Sequence, residues 1–163
     1  MKIAILSDTH DNLNMAQLAR KTIAKAGIDT IIHCGDVIEP KILDYFIEFR
    51  MLLSYGNGDY PPELDQRLKR SRDDNLAGES LEIELDGKQL FVTHGHNLKL
   101  FHDAIQHGKY AYVFHGHTHR HRDEIMGSSR VINPGALGGK KVEPRGFVIL
   151  DLKTDILERI NFG

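Results

Sequence analysis

Apolar residues fall along this chain in two rhythms that change over near its middle. Ile3-Ala4-Ile5-Leu6 is an unbroken run with two β-branched members, the pattern of a short strand buried on both faces. Leu13, Ala16, Leu18, Ile23 and Ala26 then share one face of a helix over 13–26, with Asn12 or Asn14 as its cap and Gly27 as its stop. A second strand follows at Thr30–Cys34, and Pro40 starts a helical pattern in which Ile42, Leu43, Phe46 and Phe49 form an apolar face. Met51–Tyr55 is a third strand, ending in the turn Gly56-Asn57-Gly58-Asp59. From Tyr60 to Ser80 the rhythm weakens, and the expected structure is a surface connection with a helical turn or two around Leu64–Leu68.

The second half alternates. Leu81–Leu85 has period two, Asp86-Gly87 is a two-residue turn, and Gln89–Thr93 returns as the partner strand. A short helix over Leu98–His107 is stopped by Gly108. Strands are expected at Ala111–Phe114, Asp123–Met126, Arg130–Ile132, Phe147–Leu152 and Ile156–Ile160, with a loop over Asn133–Gly146. The first half therefore winds βαβα, which favours parallel strands and right-handed crossovers, and the second half is mainly β. Two mixed β-sheets packed face to face and flanked by helices bury both patterns, an α/β class in a single domain over 1–163.

Composition narrows this little. With 163 residues, 40% hydrophobic and 27% charged, the chain can bury one core and is not of the disordered class. A net charge of −2 excludes a global basic field, so a nucleic acid partner stays open only through a local patch. Cys34 is the single cysteine, so no intrachain disulfide exists, and its place inside a strand marks it as a small buried hydrophobe. No apolar run reaches membrane-spanning length or the form of a signal peptide, and the expected location is the cytoplasm.

Ten histidines change the picture more. Asp8 and His10 follow the first strand, Asp36 the second, Asn57 the third, His94 the strand ending at Thr93, and His117 and His119 the strand ending at Phe114. Each cluster alone has a plain explanation in turn chemistry or surface histidine. Asp-x-His, Gly-Asp, Gly-Asn, His and Gly-His-x-His in that order, each at the end of its own strand, do not arise together by independent accident. Ligand sites in α/β sheets gather at the carboxyl ends of strands. Carboxylate, amide oxygen and imidazole together suit Mn²⁺, Fe or Zn²⁺ better than Ca²⁺ or Mg²⁺, which prefer oxygen-only shells. Seven such groups exceed the need of one ion and match two ions sharing a carboxylate.

This ordered set resembles the calcineurin-like metallophosphoesterase superfamily, and in its short chain the small phosphodiesterase branch to which the retromer subunit of that fold also belongs. The resemblance runs from Met1 to the C-terminus and implies the αββα metallophosphoesterase sandwich. Carried over by motif, Asp8, His10 and His119 would bind one metal, Asn57, His94 and His117 the other, and Asp36 would bridge them. Two divalent metal ions, manganese before iron, zinc or nickel, would leave a cationic pocket that attracts phosphate, since two aspartates cancel only part of their charge. The implied activity is hydrolysis of a phosphodiester by a metal-bridging hydroxide. A small-molecule diester, a nucleotide among the candidates, is the expected substrate, and a homo-oligomer is left open.

Two readings compete with that one. A non-catalytic scaffold on the same fold would bind partner proteins, but a scaffold can lose ligands and all seven positions here hold competent side chains. A nucleotide pyrophosphatase or nuclease would use the same centre. Two positions depart from the family pattern. Gly58 stands where many members carry a histidine that assists the leaving group, and Ala136 replaces the serine of an Asn-Pro-Gly-Ser loop. His96 is a candidate phosphate contact, whereas His33, His102, His107, His115 and His121 are read as structural or surface residues. Asp59 either orients a neighbour or simply makes the turn. Lys99, Arg120 and Arg122 are the cations nearest the motifs, few enough to favour a diester over a dianionic monoester.

Overall fold

The apolar run at the N-terminus forms β1 (Lys2–Leu6) in the computed structural model, which describes all residues from Met1 to Gly163. β1 lies inside a six-stranded sheet, and Ile3 to Leu6 are fully buried, as an unbroken apolar strand requires. Parallel pairing runs from β1 to β2 (Thr30–His33), β3 (Arg50–Ser54) and β4 (Leu76–Gly78). On the other side β10 (Arg145–Asp151) pairs antiparallel with β1, and β11 (Ile156–Phe162) with β10. The second sheet runs in the order β5 (Ser80–Leu85), β6 (Lys88–Thr93), β7 (Tyr112–Phe114), β9 (Ser129–Pro134), β8 (His121–Met126). Its three middle strands are parallel and both edge strands antiparallel.

Period-two alternation sorts the core into layers. Ile3 and Ile5 face the second sheet, in one apolar cluster with Ile32, Leu90, Val92, Phe114 and Val148. Ala4 and Leu6 face the other way, against Ala16, Ala19 and Ile23 of α1 (Leu13–Lys25) and Leu64 and Leu68 of α2 (Pro61–Ser71). Phe91, Val113 and Val131 cover the outer face of the second sheet with Phe101 and Ala104 of α3 (Leu98–Gln106). The layers are therefore helix, sheet, sheet, helix, as expected. Between β5 and β6, Asp86 and Gly87 have φ of 53° and 74°, the paired left-handed residues of a type I′ hairpin turn. Asn12 caps α1 by accepting the Met15 N–H at 3.2 Å, and Asn97 caps α3 through Leu100 N–H at the same distance.

Several expectations need correction. Pro40–Phe46 is a 3₁₀ helix that stops short of Phe49, although Ile42, Leu43 and Phe46 bury as the pattern requires. The supposed surface connection holds the three-turn α2, whose two buried leucines sit four apart among charged neighbours and so give little periodic signal. It also holds β4, a three-residue edge strand too short to show a pattern, which Asn75 helps to place by accepting Met51 N–H at 2.7 Å. β9 extends through Asn133 and Pro134 into the expected loop, and β8 begins at His121, because those residues pair with each other. Pro134 is tolerated at the terminal position, where no further ladder donor is needed.

Candidate metal centre

Parallel β1, β2 and β3 present their carboxyl ends on one edge, and β6 and β7 of the facing sheet meet them there. Backbone bonds tie the emerging loops together. Asp8 N–H donates to Gly35 O at 2.9 Å, His10 N–H to Asp36 O at 3.0 Å, and Gly116 N–H to His94 O at 3.0 Å. Asp8, His10, Asp36, His117 and His119 all have positive φ, between 42° and 67°. A left-handed conformation is unfavourable for residues with a Cβ, and its concentration at five of the seven motif positions marks a site held by its surroundings.

Asp8 is fully buried, and its two oxygens have different fates. Oδ2 accepts Ser7 Oγ–H at 2.6 Å and His117 N–H at 3.0 Å. Oδ1 is buried with no hydrogen-bond donor, and lies 3.2 Å from His119 Nε2 and 3.9 Å from His10 Nε2. His10 Nε2 and His119 Nε2 are 3.3 Å apart. His119 Nδ1–H donates to Lys140 O at 2.9 Å, which leaves Nε2 with its lone pair toward the group. Ligand atoms about 2.1 Å from one ion stand roughly 3.0–3.4 Å from each other in octahedral or tetrahedral shells. His119 Nε2 has that spacing to both Asp8 Oδ1 and His10 Nε2, and with His10 Nε2 3.9 Å from the same donorless carboxylate oxygen the three atoms fit a divalent cation.

The second group centres on His94. Its Nδ1–H donates to Cys34 O at 2.7 Å, so Nε2 carries the lone pair, 3.2 Å from His117 Nδ1 and 3.5 Å from Asp36 Oδ2. Asp36 Oδ2 is also 3.7 Å from His10 Nε2, which sets this oxygen between the two groups. Its Oδ1 is occupied by Gly58 N–H at 2.9 Å. Burial alone would raise the Asp36 carboxyl, but the neighbouring His94 and the Gly58 N–H outweigh it and hold the pKa down at about 2. Burial likewise pulls the His94 imidazole down, and Asp36 and Asp8 beside it more than reverse the effect. His119 is raised by its contact with Asp8. Burial and the neighbouring His94 lower His117, which keeps its ring neutral.

Six of the seven motif residues thus converge through their side chains. Asn57 lies on the adjoining loop, exposed and without a side-chain hydrogen bond to the others. His96 stands at the rim, exposed, with its ring centroid 5.4 Å from His94 and 6.3 Å from His117.

Asp59, weighed above as a turn residue, has a larger part. Its Oδ2 accepts Asp36 N–H at 2.9 Å and Gly56 N–H at 2.8 Å, and its Oδ1 accepts Ile38 N–H at 2.9 Å. One carboxylate therefore fastens the loop after β2 to the loop after β3, and holds Ile38 at the φ of 66° that a β-branched side chain resists. Gly35 and Gly56 allow the same approach, since a Cβ on Gly35 would lie 2.7 Å from Gly56 N and one on Gly56 would lie 2.1 Å from Asp36 Oδ1. Asp59→Ala leaves three donors without their acceptor, and metal affinity is expected to fall ~10–100-fold, the usual effect of losing a group that orients a ligand. Calorimetric metal titration of the variant checks this, and unchanged affinity would count against it.

His33 and His115 are buried rather than liganding. His33 Nδ1 accepts Gly35 N–H at 3.2 Å, and its Nε2–H donates to Thr9 Oγ1 at 2.6 Å, bracing the residue between Asp8 and His10. His115 packs against the Phe101 ring, with centroids 4.7 Å apart. Burial pushes both pKa values down to about 4. An unfolded histidine titrates near ~6.5, so between these values the unfolded chain binds more protons. The stability linked to the neutral rings is complete above ~6.5 and is lost as pH falls toward 4. Chelator-treated protein should accordingly show a melting temperature that declines from pH ~7 to ~4.5, and a flat profile would contradict the buried neutral state.

Comparison with known proteins places this geometry. Residues 1–155 match the calcineurin-like phosphoesterase superfamily domain. The chain belongs to that superfamily. It is 34% identical over 142 residues to phosphodiesterase MJ0936 of Methanocaldococcus jannaschii, covering 85% of this chain and 86% of the relative. It is 26% identical to the probable metallophosphoesterase YsnB of Bacillus subtilis, covering 95% and 86%. The solved structure of an archaeal phosphodiesterase superposes with a TM-score of 0.94 at 32% identity, over 99% of this chain and all of that one. Vps29 of Chaetomium thermophilum shares the fold at a TM-score of 0.74 and 10% identity, over 99% and 98%.

Two of the three cations nearest the motifs in sequence are committed elsewhere, and only Arg120 beside His119 has no carboxylate partner. Lys99 is paired with Asp103 at 2.6 Å and Arg122 with Glu124 at 2.8 Å. Arg145 at the start of β10 borders the space beside His10 instead. It is missed in the sequence because it lies 26 positions after the last motif histidine and belongs to no motif. No helix of the structure is long and apolar enough to cross a membrane.

Proposed function

We infer that this protein is a dinuclear metal-dependent phosphodiesterase, in which two divalent ions would supply the charge and the activated water for hydrolysis of a phosphodiester. The observation that carries the reading is Asp36 Oδ2, 3.7 Å from His10 Nε2 and 3.5 Å from His94 Nε2, beside a buried Asp8 oxygen that no donor satisfies. Asp8, His10 and His119 would hold one ion, Asn57, His94 and His117 the other, and Asp36 would serve both. Two such ions supply Lewis-acid charge and lower the pKa of a water between them.

The chain's own residues do the positioning. Cys34 O and Lys140 O fix the tautomers of His94 and His119, so both rings offer Nε2. Ser7 and His117 N–H occupy one face of Asp8 and aim the other inward. Asp59 holds the loops of Asp36 and Asn57 in register. Oxygen with imidazole favours Mn²⁺ among hard ions, ahead of Ca²⁺. The substrate is a small-molecule diester, and a nucleotide is one member of that class. The single buried thiol suits a reducing cytoplasm.

Chelator-treated protein should hydrolyse bis(4-nitrophenyl) phosphate negligibly, and Mn²⁺ should restore the rate far better than Ca²⁺. Full activity in metal-free protein would sink the mechanism.

A further inference from the structure

Beside the candidate centre lies an open cavity of about 520 Å³, bordered among others by His10, Asn14, Gly139 and Arg145. Arg145 Nη2 donates to Gly139 O at 2.9 Å, whereas Nη1 is shielded from solvent and donates to nothing. No aspartate or glutamate pairs with this guanidinium, so its positive charge stays available to an anionic group in the cavity. The segment leading to it carries three cations in six residues, Lys140, Lys141 and Arg145. None is paired with an aspartate or glutamate. Glu143, the acid among them, is committed to Arg159 at 3.1 Å and to His121 N–H at 2.9 Å. Lys141 reaches only the Gly163 carbonyl, and the single carboxylate bordering the cavity is the exposed Asp11.

A phosphodiester reacting next to His10 would extend one of its arms into this space. We propose that the cavity is a specificity subsite for a second anionic group, a phosphate carried on that arm, and that Arg145 is its anchor. The substrate class is then a diester bearing a distal phosphate, in place of a diester with two neutral arms. Guanidinium suits this task because its planar donors match phosphate oxygens and its charge persists at any working pH. The proposal rests on the phosphodiesterase reading above, and its test separates the two.

The probes are methylphosphonate monoesters with a 3-phosphopropyl or a 3-methoxypropyl arm, which mimic the diester monoanion and resist hydrolysis. Calorimetry with the Mn²⁺-loaded protein should show the phosphate arm bound at least ~10-fold more tightly, the scale of one charge-assisted contact. In Arg145→Gln that preference should collapse below ~3-fold, and Arg145→Lys should keep part of it. Asn14→Asp adds a carboxylate to the cavity lining at a helix start, where it does not threaten folding, and should also reduce the preference. Equal affinity of the two probes in the wild type would overturn the subsite. So would an Arg145→Gln variant that weakens both probes alike, since that is the signature of a brace for Gly139. Hydrolysis is read separately, with 4-nitrophenyl diesters carrying the same arms. Failure to cleave either one would refute the phosphodiesterase reading, while the calorimetric comparison of the two arms would still decide the subsite.

Discussion

Asp36→Ala should lose hydrolysis by on the order of 10³-fold or more, and should bind less metal than any other single-ligand variant. Losing a residue that merely orients a ligand weakens a site by ~10–100-fold, and Asp36 is proposed as a direct contact of both ions. Its position supports the difference. Asp36 Oδ2 stands between His10 and His94, while Oδ1 holds Gly58 N–H and through it the loop of Asn57. Asn57 is exposed, and its replacement by alanine would remove one proposed contact of one ion. Elemental analysis of Asp36→Ala and Asn57→Ala, dialysed against the same metal concentration, distinguishes them. Equal stoichiometry at saturating Mn²⁺ would leave the bridge unsupported.

The second large effect concerns the leaving group. Gly58 places no side chain at the position where the family resemblance leads to the expectation of a histidine, so a departing alkoxide must be stabilised by a metal, water or a donor from elsewhere. General-acid assistance is worth ~10²–10⁴-fold and matters most for poor leaving groups. The rate should therefore depend steeply on leaving-group pKa, with aryl diesters cleaved far faster than alkyl ones. His96 is the competing proton source, exposed at the rim with its ring 5.4 Å from that of His94. If His96 acts, the wild-type slope is shallow and His96→Ala steepens it for alkyl substrates. A diester series measured with wild type and His96→Ala decides between them, and a shallow slope that steepens in the variant would refute the missing-acid reading. Restoring the histidine requires care, because a Cβ at position 58 would lie 2.3 Å from Ile38 Cδ1. Gly58→His should be combined with Ile38→Val, which removes that methyl group.

The layered fold was legible in the sequence where strands are long and buried. Ile3–Leu6 and Leu81–Leu85 show their periods directly, and Asp86-Gly87 shows its turn, because these features depend on neighbours within a few residues. The candidate ligands were legible for the same reason. Each follows an apolar run, and parallel strands deliver their carboxyl ends to one edge. Local pattern determined no more than that. Whether Asp36 stands between two groups, which nitrogen of His94 or His119 is free, and what Asp59 binds depend on contacts between segments far apart in sequence. α2 and β4 stayed hidden because two leucines or three short-strand residues carry too little periodicity to be read. Arg145 stayed hidden for a topological reason. β10 runs antiparallel to β1, so it brings its first residue, not its last, to the edge where the parallel strands end. Only pairing across the sheet decides that, and pairing is a property of the folded chain.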